Sequence, residues 1–256
     1  MKDARKHLLI PDVQDGPDRP KDHLTWISNY IAAKQPDVIV QIGDLADFAS
    51  LSSYDKGKAS IEGKRLTKDW DSFRRALDML EARYSKIRGY KPRKVFTEGN
   101  HEVRVKRYAN DNAQVDTLPD VLAEMRARGW EAYPFMDIVA IDGIRYSHLF
   151  ARTTGGKVTN SSQRFGAPSS LAQVRANMVS CTAGHRPGFD YGEIGVEGRT
   201  LHGLIAGSCY LHRESYETAQ GGRYFRGIVV KHEVKNGEYD LMKVSLDYLG
   251  RKYAGR

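Results

Sequence analysis

Five places in this sequence set a side chain able to bind metal or move a proton just behind an apolar run. Asp12 follows His7-Leu8-Leu9-Ile10-Pro11, Asp44 follows Val38-Ile39-Val40-Gln41-Ile42-Gly43, and Asn100-His101 follows Lys94-Val95-Phe96-Thr97 by three residues. His148 and His185 stand behind the later runs Ile144 to Ser147 and Val179 to Gly184. Each has an ordinary explanation alone: Asp and Asn serve turns, and histidines have many roles besides metal binding. Together they form a mixed oxygen and nitrogen donor set suited to Mn²⁺, Fe or Zn²⁺. The chemistry expected of such a set is the binding of a divalent metal ion.

The elements around these residues explain how they could meet. The run 7–10 reads as a short buried strand, 22–34 carries apolar residues at helical spacing, and 38–42 reads as a second strand. A strand, helix, strand unit brings Asp12 and Asp44 to the same edge of a parallel sheet, where ligands bind in open α/β sheets. The polar stretch 49–65 reads as a loop, 67–87 as a helix, 94–97 as a third strand, and the chain to about 128 as helical. The segments 131–134, 138–141 and 144–148 read as strands, with Asp142-Gly143 as a hairpin turn. A Gly-, Ser- and Thr-rich stretch follows His148, then a strand at 179–183 and further strands near Leu204, Ile228 and Leu241. No fixed-period repeat is present.

The chain has 256 residues, 40% hydrophobic and 28% charged, which suits a folded core and argues against disorder. One domain over residues 1–256 is expected. No apolar stretch reaches a membrane span, so a cytoplasmic chain with no membrane partner is expected. Two cysteines, Cys181 and Cys209, are too few for a disulfide framework and read as small core residues. A net charge of +8 favours polyanionic partners.

The motifs PDVQD at 11–15, GDLAD at 43–47, GNHE at 99–102, the strand-end His148 and GH at 184–185 resemble the ordered motifs of calcineurin-like metallophosphoesterases. The match in order and spacing runs from residue 7 to about 187. The resemblance implies a four-layer α/β/β/α sandwich of two packed mixed β-sheets flanked by helices, with metals at the sheet ends. It implies that Asp44 bridges two ions, that Asn100, His148 and His185 complete one site, and that Asp12 serves the other. It further implies that His101 donates a proton to the leaving oxygen and that Asp47 orients its neighbours.

Two departures bear on the Asp12 site. Gln14 stands where the family usually has histidine, and a neutral amide oxygen is a poorer ligand for a borderline ion. Pro187 stands where the family usually has a second histidine. One firm ion and a second that is weak or absent are therefore expected, Mn²⁺ first, with Mg²⁺, Fe or Zn²⁺ as alternatives. His202, His212 and Glu193 are candidates to fill the gap.

The second motif, GDLADFAS, lacks the VDRG of the family's protein phosphatases. Basic residues follow two of the motifs: Arg104, Lys106 and Arg107 after GNHE, and Arg152, Lys157 and Arg164 after His148. Arg104 and Arg186 are the expected substrate contacts. Tyr54, Tyr108, Phe165, Phe189 and Tyr191 are candidates to stack on bases. The DxQ form, size and charge resemble phosphoesterases of bacteriophages and prophages. The expected function is a phosphodiesterase or nuclease acting on DNA or RNA. The alternatives are a phosphomonoesterase acting on nucleotides or phosphoproteins, and a degenerate binding scaffold.

Overall fold

Leu8 and Ile10 face one way and Leu9 the other, as the two-residue period of a strand requires, and both faces are buried. The computed structural model describes residues 4–53, 55–115, 117–154, 157–159, 167–213 and 224–255. Strand β1 (Arg5–Ile10) lies inside a six-stranded sheet with β2 (Val38–Gln41), β3 (Arg93–Thr97), β4 (Glu131–Tyr133), β12 (Gly227–Lys235) and β13 (Glu238–Ser245), in the order β13-β12-β1-β2-β3-β4. A five-stranded sheet holds β5 (Val139–Ile141), β6 (Ile144–Tyr146), β9 (Ser180–Ala183), β10 (Phe189–Val196) and β11 (Arg199–Ala206), in the order β10-β11-β9-β6-β5. β7 (Arg152–Thr154) and β8 (Lys157–Thr159) pair as a separate ribbon.

The two large sheets pack through Leu9, Val38, Val40, Ile42 and Val95 on one side and Val139, Ile141, Ile144, Tyr146 and Leu204 on the other. The outer face of the first sheet, with Leu8, Ile10, Ile39 and Phe96, is covered by helices α1 (Asp22–Lys34), α2 (Leu66–Glu81), α4 (Val121–Ala127) and α6 (Leu246–Tyr253). Helix α2 buries Phe73, Ala76, Leu77 and Leu80, the i, i+3, i+4, i+7 stripe of a surface helix. On the second sheet, α5 (Ser170–Asn177) packs Val174 against Cys181 and Leu201. The four-layer α/β/β/α sandwich expected from the motifs is the architecture observed.

Several local expectations change. The helix read to residue 87 stops at Glu81 and is followed by a 3₁₀ turn at Tyr84–Lys86. The stretch 49–65 contains two 3₁₀ turns, Ala49–Leu51 and Ala59–Ile61. The helical region before residue 128 is two helices, α3 (Val103–Asp111) and α4. β4 joins the first sheet beside β3, while Asp142 and Gly143, both at positive φ, turn the β5–β6 hairpin. Cys209 lies beyond the end of β11, and both cysteines are buried and unpaired with each other.

Two buried histidines make the fold acid-sensitive. His7 Nδ1 meets the Tyr146 hydroxyl at 2.8 Å and Nε2 meets Asp142 at 2.8 Å; burial lowers its pKa to about 4 despite the Asp142 contact. Burial, with the nearby charges of His212 and Lys21, lowers His23 to about 3. A base whose folded pKa is depressed takes up its proton on unfolding, so stability falls as pH drops below 6.5 toward those values. Each histidine contributes a loss of about 2 kcal/mol between pH 6.5 and 4.5, read as the difference between wild-type and variant denaturant midpoints, since the raised carboxyls Asp12 and Glu102 act with the opposite sign in the same window. His23→Gln should remove its own share of about 2 kcal/mol from the pH dependence and leave that of His7; an unchanged pH dependence would contradict the assignment.

Candidate metal centre and proton donor

β1, β2 and β3 are parallel, so their carboxyl ends share one edge, and the segments beyond them carry Asp12, Asp44 and Asn100-His101. β6 and β9 are parallel to each other in the second sheet, and His148 and His185 follow their carboxyl ends. Close approach of the second and third segments depends on two glycines. A side chain at Gly43, where φ is +95°, would meet His148 Nδ1 at 2.6 Å and the Thr97 carbonyl at 2.7 Å. One at Gly99 would lie 2.1 Å from Asp44 Oδ1. Three site residues, Gln14, Asp44 and His185, hold left-handed backbone with φ of 48°, 50° and 66°. Such conformations persist where the surroundings over-determine them, and they cluster at functional sites.

The donor atoms converge. His148 Nε2 lies 3.0 Å from Asn100 Oδ1 and 3.4 Å from Asp44 Oδ2, and His185 Nδ1 lies 2.8 Å from the same Asn100 oxygen. Ligand atoms of Asp44, His148 and His185 all fall within 4.8 Å of one another. Ligands about 2.1 Å from one tetrahedral ion stand about 3.4 Å apart, so these four side chains fit a single divalent ion. His148 Nδ1 bonds the Ile42 carbonyl at 2.8 Å. As the donor in that bond, Nδ1 leaves the Nε2 lone pair for a metal.

The electrostatics agree with a cation site. Burial lifts Asp12 to about 8, with His148 pulling it down and Asp44 pushing it up. Burial and the Asp44 charge lift Glu102 to about 7. Burial opposes charge on His148, yet Asp44 and Asp12 raise it to about 10. Burial also opposes charge on Asp44, but His101 and His148 hold it well below the usual carboxylate range. A cluster that keeps protons on some of its carboxyls and imidazoles would carry surplus negative charge without them, and a divalent ion can displace those protons and neutralise that charge.

His101 stands beside this cluster. Its backbone N–H donates to Asp44 Oδ1 at 2.9 Å, its Nδ1 meets Asp47 Oδ1 at 2.7 Å, and its Nε2 lies 3.8 Å from Asp44 Oδ2. Burial lowers its proton affinity and Arg104 repels the charge, but Asp44 and Asp47 together outweigh both and the net shift is upward. Asp12 is set beside the centre, its Oδ1 accepting the His185 N–H at 3.2 Å and its carbonyl accepting the Cys209 N–H at 2.7 Å. Gln14 is nearly buried, and its N–H donates to the Asp44 carbonyl at 2.7 Å.

Glu102 is a functional residue the motif reading quoted without assigning a role. Wholly buried, it accepts N–H bonds from Asp44 and Gly99 at 2.9 Å each and from Ala46 at 3.0 Å. It ties the second and third segments into one piece. The only sequence signal was its place in GNHE. Glu102→Ala leaves three N–H groups without their acceptor, at about 1–3 kcal/mol for each one that stays buried. A thermal melt should fall by about 10 °C or more, at roughly 2–4 °C per kcal/mol for a chain of this size; a change under 2 °C would show that the bonds are dispensable.

Other expected contacts fall differently. Arg104 turns to Asp47, reaching its Oδ1 at 2.8 Å and its carbonyl at 2.6 Å, and lies 3.4 Å from His101 Nε2. Arg186, partly exposed, lies 3.9 Å from Asp190. His202 sits opposite the amino end of β9, its N–H donating to Ser180 Oγ at 3.0 Å, far along the strand from His185. It packs on Tyr191 and Tyr239, and Tyr191 donates to Glu193. His212 stacks on Tyr210 at 4.6 Å. Among the described residues none of these three joins the Asp44, His148 and His185 group. Phe189 and Tyr191 pack on the core between the sheets, with Phe189 against Phe225; Tyr108 is exposed on α3. Tyr54, Phe165 and Arg164, and the side chains of Arg152 and Lys157, lie outside the described residues.

Comparison with known proteins agrees with this geometry. The model of the calcineurin-like phosphoesterase family matches residues 6–178, most of the chain, and the protein belongs to that family. It is therefore a metal-dependent phosphoesterase by family and by site. A comparison with curated protein sequences finds no relative. One solved structure aligns over 94% of this chain and 100% of its own with a TM-score of 0.46 and 13% identity, too loose a likeness to inform function. The family match ends before His185, whose place in the centre rests on its distance from Asn100.

Proposed function

We propose that the protein hydrolyses phosphodiesters of DNA or RNA, using one divalent ion, Mn²⁺ in the first instance, held by Asp44, Asn100, His148 and His185. The observation that carries the reading is the His101–Asp47 pair set against the four-donor cluster. When bound there, a divalent ion supplies Lewis acidity toward the phosphoryl oxygens and activates water. Asp47 fixes the imidazole through Nδ1, so that Nε2 faces the cluster and holds the proton for the leaving oxygen. Arg186, next to His185 in the chain, supplies positive charge to the phosphoryl group, while Arg104 is spent on Asp47. Asp12 stands where a second ion would be weakly held, since Gln14 and Pro187 withhold ligands.

A polyanionic substrate is supported by the net charge and by exposed cations in the segments that follow two of the motifs. The chain carries +8 overall. Lys56, Lys58, Arg65 and Lys68, in and beyond the segment after Asp47, are exposed, as are Arg107 and Tyr108 on α3. Exposed cations of this kind engage phosphates at the cost of a steep salt dependence. The test is hydrolysis by metal-stripped protein refilled separately with Mn²⁺, Mg²⁺, Zn²⁺ or Ca²⁺, on plasmid DNA, single-stranded oligonucleotide, bis-p-nitrophenyl phosphate and p-nitrophenyl phosphate. Mn²⁺-dependent cleavage of nucleic acid and diester, weakening as salt rises, is expected. Activity on the monoester alone would replace this reading with a phosphomonoesterase, and no activity under any metal would replace it with a binding scaffold.

A further inference from the structure

We infer that Arg19, which no motif includes, is a positioning residue for the proton donor. It holds Asp47, and through Asp47 the His101 ring, to the segment that carries Asp12. Arg19 Nη2 lies 2.8 Å from Asp47 Oδ2, and its Nη1 donates to the Gln14 carbonyl. Asp47 Oδ1 is occupied on its other side by His101 Nδ1 at 2.7 Å and Arg104 at 2.8 Å. The Asp47 carboxylate is thus gripped at both oxygens, and its rotation is fixed by Arg19 on one side and by Arg104 with His101 on the other.

The local chain is built to present this arginine. Residues 16–19 form a turn in which the Arg19 N–H donates to the Gly16 carbonyl at 3.1 Å. Lys21 pins the same turn, donating to the Gly16 carbonyl at 2.6 Å and pairing with buried Asp15 at 2.7 Å. The Asp47 N–H donates to the Asp15 carbonyl at 2.8 Å, so the first and second segments run side by side there. Glu102 joins the second segment to the third by backbone contacts; Arg19 joins the first to the second through the side chain that holds His101. The fork of a guanidinium can serve Gln14 and Asp47 together, which the single ammonium of lysine cannot reproduce.

The consequence is geometric. Without Arg19, Asp47 Oδ2 loses its charged donor, the carboxylate is free to turn toward Arg104, and the His101 ring loses its fixed orientation toward the cluster. No donor to the ion is touched. The kinetic arm of the test rests on the phosphoesterase reading, and the spectroscopic arm does not.

In metal-free protein, the proton on His101 Nδ1 shared with Asp47 should give a downfield imidazole N–H resonance, assigned by its disappearance in His101→Asn. Arg19→Met should shift or broaden it away, and Arg19→Lys should keep it in part. In protein refilled with the supporting metal, Arg19→Met should lower kcat by about 10- to 100-fold, the range for residues that orient catalytic groups, while KM and metal occupancy stay within about twofold. Arg19→Lys should recover part of kcat. A resonance unchanged in Arg19→Met would overturn the proposal, as would a raised KM with kcat intact. Absence of turnover in the wild type would remove the phosphoesterase reading and leave the resonance to decide the role of Arg19.

Discussion

Asp44→Asn costs the protein its ion and its turnover together. The Asp44 carboxylate reaches two site histidines, with Oδ2 at 3.4 Å from His148 Nε2 and Oδ1 accepting the His101 N–H at 2.9 Å. It is the one carboxylate in the convergent group. The amide keeps the shape but removes the charge that draws a cation, and it can turn an NH₂ toward the space where the ion sits. Metal affinity should fall by more than about 10²-fold, beyond what changes in the outer shell cost, with circular dichroism unchanged. Calorimetric titration with Mn²⁺ checks this; affinity within tenfold of the wild type would show that the ion is held elsewhere.

His101→Asn should leave the ion in place and stop the chemistry. The side chain is not a member of the group formed by Asp44, His148 and His185, and in the proposed mechanism its contribution is a proton at Nε2. General acid catalysis is worth about 10²- to 10⁴-fold, and kcat should fall by that factor with metal affinity unchanged. Asp47→Asn should fall less, since it disturbs the orientation of the ring and leaves the proton-bearing group. Full activity in His101→Asn would mean that another group protonates the leaving oxygen.

Much of this was legible in the chain because chemistry and architecture coincide. A strand that ends in Asp or Asn at a turn announces itself through both apolar period and motif, which is why Asp12, Asp44, Asn100, His101, His148 and His185 could be named together. The structure brings Asp44, Asn100, His148 and His185 into one cluster and leaves Asp12 at its border. What was hidden depended on side-chain direction. Arg104 follows GNHE and reads as a phosphate contact, yet the first turn of α3 points it at Asp47. Glu102 looks like a surface residue of a polar turn until its three N–H donors are seen. Tyr191 and Phe189 belong to β10, a strand whose glycines and polar residues conceal its period, so their burial against the core was not readable. His202 sits on β11, whose parallel pairing with β9 sets it at the amino end of that strand while His185 lies beyond the carboxyl end, and only pairing reveals that. The short helices α5 and α6 lacked enough turns for a periodic signal.

The most direct test of the central claim is hydrolysis of bis-p-nitrophenyl phosphate by chelator-stripped protein before and after stoichiometric return of Mn²⁺. The site geometry predicts no turnover in the stripped protein and recovery that saturates near one ion per chain. Turnover that persists undiminished after stripping, or that never appears with any divalent ion, would contradict a metal-dependent phosphoesterase built on Asp44, Asn100, His148 and His185.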